Sequence, residues 1–175
     1  VVRPALYDSW RHFLFLTIPL IIIAVFGVYA ISIIKNNLIK VILLTLIAIN
    51  LFQTAFEMKV LHPYQYIYYN SLVGGLKGAD GKYETDYWGA GNKEAVEWFN
   101  KNINDPKKTY YIITEGDPLS STYYFKKNMF FTFDYNHANY VISFTRWNSD
   151  QKYLGKTIYR VEREGVPLIY IKKNP

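Results

Sequence analysis

The chain has 175 residues, a net charge of +6 and no cysteine; 50% of it is hydrophobic, and 17 residues are tyrosine. The missing cysteines exclude disulfides, thiolate metal sites and a Cys nucleophile. The basic balance suits anionic lipid heads, and no basic cluster is interleaved with a recognised binding motif, so nucleic acid is not an expected partner.

Residues 1–12 form a polar, aromatic lead-in whose Trp10, Arg11 and His12 suit an interfacial belt. Phe13–Ile34 then runs without a charge, and Leu38–Phe56 carries only Lys40. About 20 helical residues cross a hydrocarbon core of roughly 30 Å, so both runs are expected to span a membrane as a helical hairpin. Mean hydropathy near zero hides this, because the first third is greasy and the remainder polar. Phe13–Ile34 is too long for a signal-peptide core and lacks a small-residue cleavage site. The missing initiator Met suggests a piece of a longer chain. Asn50 and Gln53 share a face of the second helix, aimed at another helix or at the interface. The turn holds Lys35 and Lys40 while the opposite flanks hold Arg3, Arg11 and Lys59, so charge bias does not fix the orientation.

An aromatic stretch, His62–Asn70, follows, then Gly74, Gly75, Gly78 and Gly81, a turn-rich segment without a phosphate-loop fingerprint. Gly91-Asn92 can cap a helix over Lys93–Asn104, with Val96, Phe99 and Ile103 at helical spacing and Asp105-Pro106 as its stop. Thr109–Thr114 is a predicted strand, and Asp117-Pro118 opens a short helix through Phe125. Met129–Phe133 and Tyr140–Phe144 are β-rich. Thr157–Glu162 and Val166–Lys172 flank Arg163-Glu164-Gly165 and read as a hairpin. The expected organisation is a transmembrane hairpin at 1–60, an aromatic and Gly-rich interfacial connector at 61–90, and a small α/β or α+β domain of about five strands at 91–175.

No catalytic constellation follows from spacing. His12, His62 and His137 lack ligand spacing, so no metal site is expected and no cofactor is identified. Asp80, Glu84 and Asp86 read as a solvated acidic turn, and Glu115-Gly116-Asp117 as an ordinary connection. Three stretches stand out as candidate binding surfaces. Arg11-His12 can hold a lipid phosphate or serve as an interfacial anchor. His62-Pro63-Tyr64-Gln65 brings a donor, a rigid turn and an aromatic face together. Asp86-Tyr87-Trp88-Gly89 puts a carboxylate beside two rings, an arrangement that holds sugars; alternatively, the rings pin the domain to the apolar helices.

Four segments in this order resemble one family: RPALYDSWRHFLF (Arg3–Phe15), HPYQYIYYNSLVGG (His62–Gly75), YETDYWG (Tyr83–Gly89) and VEREGVPLIYI (Val161–Ile171). They are similar to the C-terminal portion of bacterial phospholipid-carrier-dependent glycosyltransferases, relatives of the dolichyl-phosphate-mannose protein mannosyltransferases with the multi-span GT-C architecture. The resemblance implies an extracytoplasmic polar domain and a polyprenyl-phosphate-linked sugar as donor. It also implies that the remaining transmembrane portion of the enzyme is a partner, besides the lipid bilayer. It places the catalytic carboxylate in an early loop outside this chain, so no catalytic residue is carried over, and it leaves the use of a divalent cation open. Arg11 and His12 are then expected near the lipid phosphate. His62, Tyr64, Gln65, Asp86, Tyr87 and Trp88 are expected where the polar domain meets the membrane helices. The competing expectation is a non-catalytic, membrane-anchored binding or assembly module; a transporter subunit is disfavoured by spans without deep charges.

Overall fold

The computed structural model describes residues 10–175, with side chains from Phe13 onward. Two compact units meet in sequence at Ala55/Phe56.

The first unit holds a 3-10 turn, Trp10–Leu16, then α1 (Thr17–Ser32) and most of α2 (Asn37–Val60). Ser32 closes α1 by donating its hydroxyl to the Tyr29 carbonyl (2.7 Å). Asn36 caps α2, its Oδ1 accepting from the Leu38 and Ile39 amides (3.0 and 3.2 Å), because the first turn of a helix has no internal partners for those N–H groups. The helical stretch Phe13–Ser32, which includes α1, and α2 are each long and apolar enough to cross a membrane. No residue of α1 or α2 is buried, and side chains such as Ile23, Phe26 and Leu51 are 64–66% exposed. Apolar surface costs about 25 cal/mol per Å² in water, so two uncovered helices of this composition demand an apolar surrounding.

The second unit is a mixed five-stranded sheet with short helices, as expected in class. Its elements are α3 (Gly75–Ala79), α4 (Asn92–Asn102), β1 (Tyr110–Thr114), α5 (Leu119–Thr122), β2 (Met129–Phe131), β3 (Tyr140–Phe144), α6 (Ser149–Lys152), β4 (Lys156–Arg163) and β5 (Val166–Lys173). The strand order is β2-β1-β3-β5-β4. β1 pairs in parallel with β2 and β3, while β5 is antiparallel to β3 and β4. Glu164 and Gly165 both take positive φ (53° and 80°), the backbone a two-residue hairpin turn requires to match strand twist. β4, the outer strand, breaks register twice, between Thr157 and Tyr159 and between Val161 and Glu162.

The main core lies between α4 and one face of the sheet. α4 buries Ala95, Val96 and Phe99 against Ile112, Ile142, Val161, Ile169 and Ile171. Phe99 is fully buried and meets Tyr110 and Tyr140 edge-on, with ring centroids 5.4 and 4.9 Å away. Trp98 stacks flat on Tyr159 at 4.1 Å. The helix can come this close because its first turn is preceded by Gly91, where a Cβ would stand 2.6 Å from Ile169 Cγ1. Ile113, Ala138 and Val141 form a smaller cluster elsewhere in the sheet layer.

The Gly-rich segment, read from sequence as turn-rich, also carries a short helix, α3. Gly78 packs so tightly on the preceding turn that a Cβ would lie 2.0 Å from the Val73 carbonyl oxygen. Glycine serves close backbone approach here rather than freedom of movement.

Candidate functional site

The connector between α2 and α4 carries most of the residues singled out from sequence, and the fold sorts them into two groups. Tyr64 and Asp86 are turned inward. His62, Gln65, Tyr87 and Trp88 keep exposed surface. Arg11 and His12 belong to the Trp10–Leu16 turn, and their side chains lie outside the described residues.

Tyr64 is 3% exposed. Its hydroxyl donates to Glu94 Oε2 (2.7 Å), which also accepts from Arg163 Nη2 (2.6 Å), while Arg163 Nη1 reaches Glu94 Oε1 at 3.3 Å. The guanidinium also lies over the Tyr64 ring, 4.4 Å from its centroid. One carboxylate thus ties the connector to the first turn of α4 and to the end of β4. Burial opposes the Glu94 charge, but the bonds from Arg163 and Tyr64 outweigh it and hold the carboxyl below its ordinary value. Burial first, and then Glu94, push the Tyr64 hydroxyl upward, so it remains a donor.

A depressed carboxyl contributes stability that is fully present above its unfolded value near 4.5 and is lost as pH falls through the folded one. Glu94→Gln is therefore expected to lower unfolding free energy at neutral pH by about 1–2 kcal/mol, with allowance for partial exposure. The gap to wild type should close as pH falls from 4.5 through the lower folded value, once acid has protonated the wild-type carboxyl. Urea melts across that range check it; a gap that stays constant would mean that the ionised pair adds nothing.

Gln65 Nε2 donates to His62 Nδ1 (2.7 Å), which leaves the imidazole proton on Nε2. His62 is exposed, so this N–H is a donor offered to solvent or to an anionic oxygen.

Asp86 is fully buried. Its Oδ1 accepts from the Tyr66 hydroxyl (2.6 Å) and from the Gly89 and Ala90 amides (2.8 and 3.3 Å). Its other oxygen lies against Gly91, where a Cβ would stand 3.6 Å from it. The carboxylate thus sits just ahead of α4 and organises the Asp86–Gly91 turn. Burial raises its carboxyl above the ordinary value, outweighing the hydrogen bonds from Tyr66 and the turn amides that favour its charge. Sequence reasoning had grouped it with Asp80 and Glu84 as a solvated turn. The fold separates them, with Asp86 inside and the other two exposed.

Beyond Asp86 the side chains form a ladder. Trp88 is 61% exposed and meets Tyr87 edge-on at 4.7 Å. The Arg146 guanidinium lies over Tyr87 at 3.6 Å and over Trp147 at 3.9 Å, and its Nε is 3.8 Å from Glu84. Arg146 and Trp147 come from the turn after β3, residues the sequence reading missed. The signal available was Thr145-Arg-Trp-Asn148 directly after a β-rich run, since strand carboxyl ends in parallel sheets are where ligands gather.

This turn has an unusual backbone. Trp147 and Asn148 are consecutive left-handed residues, with φ of 54° and 55°. Asn tolerates this region; a bulky Trp there costs about 1–2 kcal/mol. The turn and the Asp80–Thr85 segment enclose a crevice of about 530 Å³, floored by Pro167 and Tyr170 of β5. Thr85 and Thr145 join its walls through their hydroxyls, 3.1 Å apart. Among the described residues, no three His, Asp or Glu side chains converge as a metal site.

The Glu115–Asp117 connection is occupied by structural work. Glu115 accepts from the Tyr153 hydroxyl (2.5 Å), and Asp117 Oδ1 accepts from the Leu119 amide (3.0 Å) at the start of α5.

The fold and this ladder define an α/β unit of mixed sheet joined to two long apolar helices. No family model, curated protein or solved structure matches the chain.

Proposed function

We propose that the chain is the C-terminal part of an integral-membrane glycosyltransferase that moves a sugar from a polyprenyl-phosphate carrier to an acceptor, with the polar unit on the extracytoplasmic side. The observation that carries this reading is the joining of two apolar helices without a single buried residue to a polar unit rich in exposed rings and carboxylates. The four sequence segments similar to this enzyme class support it. In this reading His62 offers its Nε2–H to the lipid phosphate, held in that tautomer by Gln65. Tyr87 and Trp88 present ring faces to the sugar. Tyr64 and Asp86 act by holding the connector in shape. The inward positions of those two residues favour one second reading, a membrane-anchored binding module without chemistry of its own.

The test is transfer from a synthetic polyprenyl-phosphate sugar in membranes carrying the protein as encoded. A hydrogen bond to a charged group is worth about 1.5–3 kcal/mol, so His62→Ala is expected to lower turnover about ten-fold or more without changing the melting temperature. Equal turnover removes His62 from the site. Donor that no polyprenyl-phosphate sugar assay sees consumed overturns the transferase reading. Protease protection of residues 56–175 in sealed vesicles checks the side.

A further inference from the structure

The crevice beside the Arg146–Asn148 turn has a charge unlike that of the chain around it. The chain is basic overall, at +6. The crevice is lined by three carboxylates, Asp80, Glu84 and Asp150, and one ammonium, Lys82, and the Arg146 guanidinium 3.8 Å from Glu84 offsets part of that charge without reversing its sign. The field at its floor has the same sign: after burial, Asp150 is the next cause that raises the Tyr170 hydroxyl, Asp80 and Glu162 add to it, and Arg160 opposes them. Anionic ligands such as phosphates or uronic acids are repelled from such a lining.

Its other surfaces are rings. Trp147 is 63% exposed and Tyr83 57% exposed, both on the crevice, with Tyr170 beneath. Flat faces at the mouth and acceptors on the wall match a pyranose, whose C–H face is apolar and whose rim is a row of hydroxyl donors. The space of about 530 Å³ falls in the range of small-ligand sites and accommodates one or two sugar rings. The Trp147 ring is held there by a left-handed backbone and by the Arg146 guanidinium packed against it at 3.9 Å. Asn or Gly would fit this turn with less strain, so the strained backbone at Trp147 points to a use for its side chain.

We propose that this crevice is a binding site for a neutral or amino-bearing pyranose, with Trp147 as the stacking platform and Glu84 and Asp150 as hydroxyl acceptors. The site stands on the crevice alone. A chain without transferase activity would still bind there, so the outcome is independent of the transfer assay.

The experiment uses the full chain in lipid nanodiscs, free of glycolipid and of sugar-headed detergent. Glucosamine, methyl glucoside, glucuronate and ethanolamine are titrated, read by tryptophan fluorescence and by saturation transfer to ligand protons in NMR. Saturable millimolar binding of glucosamine and methyl glucoside is expected, with glucuronate at least about ten-fold weaker and ethanolamine silent. Trp147→Asn is the informative variant. It removes the ring but suits the left-handed backbone, so it should lose binding by about ten-fold or more while melting at the same or a higher temperature. Asp150→Asn should weaken glucosamine more than methyl glucoside. No saturable binding by either sugar overturns the proposal. So does glucuronate binding as tightly as glucosamine, ethanolamine competing with it, or unchanged sugar affinity in Trp147→Asn.

Discussion

Phe99→Ala is expected to remove about 3–5 kcal/mol of unfolding free energy from the polar unit. The ring is fully buried, and two tyrosine rings close on it from β1 and β3. Those tyrosines cannot follow a shrinking neighbour. Tyr110 is fixed at its far end, its hydroxyl donating to the Ile103 carbonyl and accepting from the Asp105 amide, both at 3.0 Å. A cavity therefore persists, and the penalty includes the lost contacts as well as the lost transfer energy. Denaturant unfolding in nanodiscs, followed by near-UV signals from the Trp98–Tyr159 stack, measures it. A loss under about 1 kcal/mol would mean that α4 is not packed on the sheet in this way.

Asp86→Ala should cost about 2–3 kcal/mol, because it leaves the buried Gly89 amide and the partly exposed Tyr66 hydroxyl and Ala90 amide without their acceptor. Asp86→Asn keeps an acceptor oxygen and should cost about 1–2 kcal/mol. The pH dependence separates charge from shape. The folded value of this carboxyl lies above its ordinary 3.8, so the folded state holds its proton more tightly than the unfolded chain. Wild-type stability then falls as pH rises through the window between those two values, opposite in sign to the Glu94 contribution. Asp86→Asn should lack that fall. A variant with the wild-type pH slope would show that Asp86 titrates as an exposed acid does.

Regular elements were legible where one period dominated. The charge-free run of α1, the strand Tyr140–Phe144 and the turn at Glu164-Gly165 each follow from local pattern. α4 was readable because Val96 and Phe99 share its buried face. What local pattern did not carry was pairing: nothing in the strands themselves says that β1 lies between β2 and β3, since that order arises from how helices cover the sheet. α3 was hidden for a related reason. Gly78 reads as a breaker from propensity, and only the approach of the Val73 carbonyl explains it.

The candidate site divided along the same line. His62, Gln65, Tyr87 and Trp88 remain at the surface, as residue type and position suggested. Tyr64 and Asp86 looked equally available in the sequence, yet their partners Glu94, Arg163 and Tyr66 lie 20 or more positions away, apart from nothing but the fold. Arg146 and Trp147 became visible only when the turn after β3 was brought against Tyr87.

The two register breaks in β4 have a consequence for how copies of this protein coexist when crowded. A lateral strand with evenly spaced free amides is a template on which another chain can zip. Here the bulges interrupt that row within a few residues, and Lys156 and Arg160 stand exposed along it. Neighbours arriving on this side meet a crooked, positively charged margin, and the opposite edge, β2, offers only the three residues Met129–Phe131, so neither border suits long strand addition.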